Sequence, residues 1–429
     1  MSPSDCELYT PCLIDRHKHG KVLYAKANKA IYGTLKAALL FWENLSGTLI
    51  KWGFELNPYD PCVANKMIDG SQATICWHVD DLKISHRKES VVESILEDLN
   101  QEYGKITPLT VTRGAIHDYV GMTIDYTEGG KVTFTMFDYL EEIIQSLPSD
   151  FKGEARTPAS NHLFTIDEDA EKLPIDKAEA FHHYVAKLLF MAKRTRPDIM
   201  TAIAFLCTRV KCPDVHDWKK LARVMKYLQV TPFLPLTLGW DGTGNVSWYV
   251  DASFAVHGDM KSHTGGVMTL GQGAVISVST KQKINTKSST EAELVGVDDV
   301  LNLEIWTRYF LDAQYRHCSS SPLQDKDRLY QDNTSAMKLE KNGKRSSTKR
   351  TRHIDIRYFF ITDRVKAGKV DVEYCPTDVM LADFFTKPLQ GSLFQAHRNS
   401  VLGISAQDYL RLKDEYYKAK QQLGQPQSK

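Results

Sequence analysis

None of the eight cysteines, at positions 6, 12, 62, 76, 207, 212, 318 and 375, stands in a Cys-x-x-Cys pair. That absence removes the usual ligand spacing of a structural zinc site and leaves the cysteines as free thiols. No apolar run is long enough to span a membrane. The start, Met1-Ser2-Pro3-Ser4-Asp5, has neither the basic flank nor the apolar stretch of a signal peptide. The 429 residues are 42% hydrophobic and 25% charged, which predicts an intracellular protein, in cytoplasm or nucleus, rich enough in apolar residues for large cores. An excess of one charge is missing too. With a net charge of +1, any nucleic-acid binding must come from local basic patches rather than from the bulk field.

What the chain does have is a set of spaced carboxylates. Asp251, Glu293, Asp332 and Asp383 are separated by 42, 39 and 51 residues (293−251, 332−293, 383−332), room enough for a strand or helix between successive acids. Asp251 closes Asn245-Val246-Ser247-Trp248-Tyr249-Val250-Asp251, where apolar and polar residues alternate at the period of a strand. Thr264 to Leu270 and Ala274 to Ser279 read as two more strands joined by the short Gly271-Gln272-Gly273 connection, giving a three-stranded meander.

Lys287-Ser288-Ser289-Thr290-Glu291-Ala292-Glu293-Leu294 reads as a helix start, and Ser288/Glu291 and Thr290/Glu293 both fit a capping box. Helical spacing places Glu293 with Val297, Val300 and Leu301, toward the sheet, and assigns Glu293 to chemistry and Glu291 to capping. Asp332 ends the strand-like Arg328-Leu329-Tyr330-Gln331 and on local grounds is equally a helix N-cap. Asp383 falls in a helix-like run opened by Pro376-Thr377-Asp378 and stopped by Pro388, with Val379 and Met380 as its i−4 and i−3 neighbours.

Four acids in this order carry more weight than any one of them. Tyr249-Val250-Asp251-Ala252-Ser253, Ser288-Ser289-Thr290-Glu291-Ala292-Glu293-Leu294, Tyr330-Gln331-Asp332-Asn333 and Ala382-Asp383-Phe384-Phe385-Thr386-Lys387-Pro388-Leu389 resemble the RNase H domain of copia-type LTR retrotransposon polyproteins. Ile31-Tyr32-Gly33-Thr34-Leu35-Lys36-Ala37-Ala38-Leu39-Leu40-Phe41-Trp42 resembles a palm segment of copia-type reverse transcriptases. Trp77-His78-Val79-Asp80-Asp81-Leu82 is similar to their paired-aspartate hairpin, and Tyr119-Val120-Gly121-Met122-Thr123-Ile124 to the strand near the primer terminus. Phe181 to Ile199, with Thr195-Arg196-Pro197-Asp198-Ile199, is similar to the connecting segment.

The resemblance implies an α/β (α+β) chain: residues 1–149 a truncated reverse-transcriptase palm, 150–239 a helical connection, 240–397 an RNase H-like mixed sheet with flanking helices, and 398–429 a C-terminal tail. Asp241-Gly242-Thr243-Gly244 would be the entry turn of the third part. In the connection, Phe181, Val185, Leu188, Leu189 and Ala192 follow helical spacing as core, with His182 and His183 on the polar face. The palm reads as truncated because the family places a further metal-binding aspartate upstream of Tyr32. Only thirty-one residues precede Tyr32, and their central acid, Asp15, lies in what reads as a polar loop, Cys12 to Gly20. His78 stands where these polymerases usually have an aromatic residue. By this resemblance Asp80 and Asp81 would be a polymerase-like remnant at a hairpin tip.

By the same resemblance, Asp251, Glu293, Asp332 and Asp383 would hold two Mg²⁺ ions, with Mn²⁺ as substitute, and cleave the RNA strand of an RNA–DNA hybrid. Val370 to Ala382 contains no histidine of the kind that many cellular RNases H carry before the last acid. Lys281, Lys283 and Lys287 before Glu293, and Lys344, Arg345, Lys349, Arg350 and Arg352 after Asp332, would form a phosphate track. A larger polyprotein or companion chain supplying the missing palm strand is the further partner expected. The contrasting expectation is a catalytically silent retroelement relic that binds nucleic acid.

Overall fold

The computed structural model describes residues 13–16, 20–23, 31, 33–343 and 359–423. The chain forms two compact units, Met1–Leu99 and Asn100–Lys429.

In the first unit, β1 (Leu13–Arg16) pairs antiparallel with β2 (Gly20–Leu23). Leu13–Arg16, with Asp15, is thus a strand and not part of the polar loop expected. Its register pairs Ile14 with Val22 and Asp15 with Lys21. Helix α1 (Leu35–Lys51) is capped by the Thr34 hydroxyl, which accepts from the Ala37 amide at 3.2 Å. Strands β3 (Glu55–Asn57), β4 (Asp60–Ile68), β5 (Ser71–His78) and β6 (Asp81–Ser85) then form an antiparallel sheet in sequence order, followed by α2 (Glu89–Tyr103). Leu45, Leu49, Ala64, Ile75, Trp77, Ile95 and Leu99 are buried.

The second unit opens with β7 (Ile116–Tyr119), β8 (Met122–Asp125) and β9 (Lys131–Thr135). Tyr119–Ile124 is not one strand as expected. Val120 and Gly121 both have positive φ, 52° and 75°, and turn the chain so that Tyr119 pairs with Met122. After α3 (Phe137–Gln145) comes the helical connection: α4 (Ile175–Ala192), α5 (Met200–Cys207) and α6 (Val215–Val230). Phe181, Val185, Leu188 and Ala192 are buried, Leu189 is half-buried against the same core, and His182 and His183 are exposed. These helices share a core with Val267, Phe384, Phe385 and Phe394 from the later part of the chain. Arg196 and Asp198 form a buried ion pair there, both contacts 2.8 Å, with Tyr227 donating to Asp198 at 2.7 Å.

β10 (Leu236–Trp240) joins the sheet of β7 to β9, and Asp241 accepts the Thr243 amide at 2.9 Å in the expected turn. A five-stranded mixed sheet follows, built from β11 (Ser247–Ser253), β12 (His263–Thr269), β14 (Ile276–Lys281), β15 (Asp327–Gln331) and β16 (Val370–Tyr374). The order is β14-β12-β11-β15-β16, with β11, β12 and β14 antiparallel and β15 and β16 parallel to β11. The meander is present, but its connection is no tight hairpin. Gly271–Gln272 forms a short strand, β13, paired to Gly239 and Trp240, and a Cβ on Gly273 would lie 2.2 Å from the Thr237 carbonyl. Helix α7 (Ser289–Gln314) packs on β11 and β12 through Val297, Val300 and Leu301. The remaining helices are α8 (Thr334–Asn342), α9 (Phe360–Lys366), α10 (Asp383–Thr386), α11 (Gly391–Leu402) and α12 (Ala406–Leu423). From α12, Tyr409, Leu412 and Tyr416 pack against the buried Phe233.

Candidate active site

Three of the four acids meet at one end of this sheet. Asp251 lies inside β11, not at its end, and is 2% exposed. It pairs with Gly265 across the β11–β12 ladder. A Cβ on Gly265 would come within 2.6 Å of the Thr386 methyl and 2.7 Å of the Ala382 carbonyl. That missing side chain lets α10 settle directly on the sheet and brings Asp383 beside Asp251. Asp332 follows the last residue of β15, next to β11. Carboxylate oxygens of Asp251, Asp332 and Asp383 all lie within 4.8 Å of one another.

Glu293, on the first turns of α7, lines the same cleft of about 560 Å³ together with Asp251, Asp332, Asn333, Ser289 and Lys387. Burial, then the charges on Asp251 and Asp332, raise its carboxyl well above the ordinary range. Gln331 lies with its amide 3.5 Å from the same carboxylate. Burial and then Asp251 likewise raise Asp383, against the opposing pull of Lys387. This is the electrostatic signature of acids gathered closer than their charges favour without a cation. All the donors are hard oxygens, the set that suits Mg²⁺ or Mn²⁺ rather than zinc.

The capping question is settled by hydrogen bonds. The Ser288 hydroxyl accepts from the Glu291 amide at 3.2 Å, and the Glu291 carboxylate accepts from the Lys287 amide at 2.7 Å. Glu291 holds the helix start and Glu293 faces the cleft. Asp332 is not a cap, since Asn333 accepts from the Ser335 and Ala336 amides and caps α8. The helix expected from Pro376 to Pro388 is broken into a 3₁₀ turn, Thr377–Val379, and the single turn of α10. Met380 and Ala382, both fully buried, draw the chain between them into the core.

Two residues of the site were not expected from the sequence. The Thr386 hydroxyl donates to the Asp251 carboxylate. The Lys387 ammonium lies 2.7 Å from Asp383 Oδ1 and 3.4 Å from Asp251 Oδ2. Burial works against that charge, but Asp251 and Asp383 outweigh it and raise the Lys387 pKa. The i,i+4 spacing from Asp383 was the available signal.

Of the residues expected to form a phosphate track, Lys281, Lys283 and Lys287 are described and are not among those that line the cleft. Lys281 is held by Asp259 at 2.8 Å, while Lys283 and Lys287 are exposed. Lys344, Arg345, Lys349, Arg350 and Arg352 lie outside the described residues. Asp80 and Asp81 are exposed at the β5–β6 hairpin, where His78 pairs with Asp81. Val79 at this turn has φ +56°, a left-handed conformation that a β-branched residue rarely adopts. Among the described residues, Cys62, Cys76, Cys207, Cys212, Cys318 and Cys375 are free thiols, and no helix is long and apolar enough to cross a membrane.

Comparison with known proteins places this geometry in context. A Pol polyprotein from the tobacco transposon TNT 1-94 is 27% identical over 390 residues, covering 87% of this chain and 28% of its own length. The Pol polyprotein of the Arabidopsis thaliana transposon RE2 is 27% identical over 386 residues, covering 90% of this chain and 25% of its own. The chain is a homologue of copia-type retrotransposon Pol polyproteins. Yeast relatives extend the set: the Gag-Pol polyprotein of transposon Ty1-GR2 is 24% identical over 87% of this chain. The chain spans about a quarter of the length of the first Pol polyproteins that it matches. No family model matches it. Among solved structures, a prototype foamy virus protease–reverse transcriptase aligns with 85% of this chain and 40% of its own at 11% identity and a TM-score of 0.25.

Proposed function

We propose that this Pol homologue carries a metal-dependent ribonuclease H that cleaves the RNA strand of RNA–DNA hybrids. The observation that carries the reading is the convergence of Asp251, Asp332 and Asp383, from three separate elements, within 4.8 Å, beside an open cleft that Asp251, Asp332 and Glu293 line. In this reading residues 1–149 are palm-like, 150–239 the connection, 240–397 the ribonuclease domain and 398–429 the tail.

Asp251, Asp332, Asp383 and Glu293 would hold divalent ions, Mg²⁺ or Mn²⁺, through oxygen donors. When bound, such ions supply an activated water and neutralise charge on the departing oxygen. Thr386 orients Asp251 through its hydroxyl, and Gln331 lies against Glu293. The cleft is open to solvent on one side, which admits a polymer rather than enclosing a small molecule. Preference for RNA would rest on the 2′-hydroxyl, the group that distinguishes it from DNA.

The test is cleavage of a labelled RNA–DNA hybrid by the purified chain in Mg²⁺ or Mn²⁺. The reading expects cleavage that Asp251→Asn abolishes while hybrid binding persists. A folded chain that binds hybrid and leaves it intact in both metals would support the silent relic instead.

A further inference from the structure

The Lys387 ammonium sits against two of the carboxylates that gather at the cleft. Asp383 Oδ1 is 2.7 Å away and Asp251 Oδ2 3.4 Å away, and the side chain borders the metal cleft. A divalent ion such as Mg²⁺ needs its carboxylate oxygens at about 2.0–2.1 Å in a near-octahedral shell. An ammonium on the same oxygens both blocks that shell and repels the incoming ion.

The backbone at this point is fixed, because the Lys387 amide donates to the Asp383 carbonyl and Pro388 follows. The side chain is not enclosed. It is 37% exposed, and four rotatable carbons give it a path into solvent.

We propose that Lys387 is a built-in counter-ion of the acidic cleft, holding Asp251 and Asp383 until a divalent cation displaces its ammonium. The proposal rests on reading the four acids as a metal site. In the metal-free protein the lysine offsets repulsion among the carboxylates and keeps α10 seated beside β11. Its displacement taxes every metal-binding event, so the affinity for divalent ions is set below what the acids alone would give. If the ammonium occupies the carboxylates nine-tenths of the time, the apparent dissociation constant is raised about tenfold.

The experiment uses the full chain, with Lys387→Met as a neutral side chain of similar length and Lys387→Arg to retain a cation. Thermal midpoints are recorded in EDTA, and Mn²⁺ affinity is measured by titration calorimetry. Lys387→Met is expected to melt lower than wild type in EDTA and to bind Mn²⁺ about tenfold more tightly. Lys387→Arg is expected to keep the metal-free midpoint near that of wild type. A Lys387→Met chain that folds only with metal present also supports the proposal. Equal or weaker Mn²⁺ binding by Lys387→Met, or an unchanged midpoint in EDTA, overturns it. Should Lys387→Met not fold even with metal, Lys387→Gln is titrated in its place with the same outcomes. Neither readout is cleavage. A wild type that binds Mn²⁺ and spares the hybrid overturns the ribonuclease reading alone, whereas absence of divalent binding in wild type and variant alike overturns the acid site itself.

Discussion

Asn333, and not its neighbour Asp332, caps helix α8: its side-chain oxygen accepts the Ser335 and Ala336 amides at 3.0 and 3.1 Å. Asp332 is thereby left to the cleft, where the Thr377 hydroxyl donates to it at 3.0 Å. Two adjacent residues of similar shape thus have separable roles. Asn333→Ala should lower stability by about 1 kcal/mol, the usual worth of an N-cap. Asp332→Asn should leave urea unfolding nearly unchanged and remove hybrid cleavage. Matching losses of stability in the two variants would mean that Asp332 is structural.

Glu291 and Glu293 make a second pair of the same kind on α7. Glu291→Gln weakens the acceptor for the Lys287 amide and should cost roughly 1 kcal/mol or less with cleavage retained. Glu293→Gln should abolish cleavage and, by removing a carboxyl held above its ordinary range by burial and by Asp251 and Asp332, should not destabilise the metal-free fold. Loss of cleavage in Glu291→Gln with activity intact in Glu293→Gln would reverse the assignment.

At the β5–β6 turn, Val79→Gly should stabilise the first unit. A left-handed backbone costs an L-residue about 1–2 kcal/mol, and glycine gives back part of that gain as extra entropy in the unfolded chain. Val79 is 45% exposed, so little packing is lost. The check is the unfolding midpoint of the variant, with a fall rather than a rise counting against the strain argument.

Much of this architecture was legible because burial imposes a period. Val246 just before β11 and Trp248 and Val250 within it alternate and are all fully buried, so Asp251 could be placed on the opposite face of the strand from them. Val297, Val300 and Leu301 set the face of α7 in the same way. Legibility failed where distant groups decide the outcome. Lys281 pairs with Asp259, 22 residues earlier (281−259), a partner that no local pattern announces. Val120 turns left-handed against the preference of its side chain, which hid the β7–β8 turn. The break before α10 depends on burial of Met380 and Ala382, and the close seat of α10 on β12 depends on Gly265, more than a hundred residues away in sequence.

The ion pair of Arg196 and Asp198 is a stability prediction independent of the cleft. Both side chains are buried, at 2% and 0% exposure, and Arg196 also donates to the Thr231 carbonyl at 3.0 Å. Asp198→Asn strands a buried guanidinium and should cost on the order of 3–5 kcal/mol. Replacing both partners, Arg196→Met with Asp198→Leu, should cost less than the single change. Denaturant unfolding of wild type and the two variants decides it, and a double variant at least as destabilised as Asp198→Asn would count against the argument.

The buried histidines next to the site give a pH dependence with a definite sign. Ser279 donates to the Phe385 carbonyl at 2.8 Å, so its oxygen accepts from His263 Nε2–H at 2.8 Å. His263 Nδ1 must then accept from His257 Nε2–H at 3.0 Å. This chain of donors requires the His263 ring to be neutral, while His257 can donate from Nε2 in either charge state. Burial, followed by the Lys281 charge, lowers His257 to about 4, with Lys261 adding to the effect and Asp259 opposing it. Burial and then His257 lower His263 to about 3. An unfolded histidine titrates near 6.5. The folded values lie below it, so the stabilisation is complete above about pH 6.5 and is lost progressively as pH falls toward 4. Wild type should therefore lose stability between those limits, and the double variant His257→Gln, His263→Gln should show a shallower loss. Urea midpoints measured from pH 7.5 down to 4.5 give the comparison, and identical slopes for the two chains would show that these rings do not titrate with unfolding.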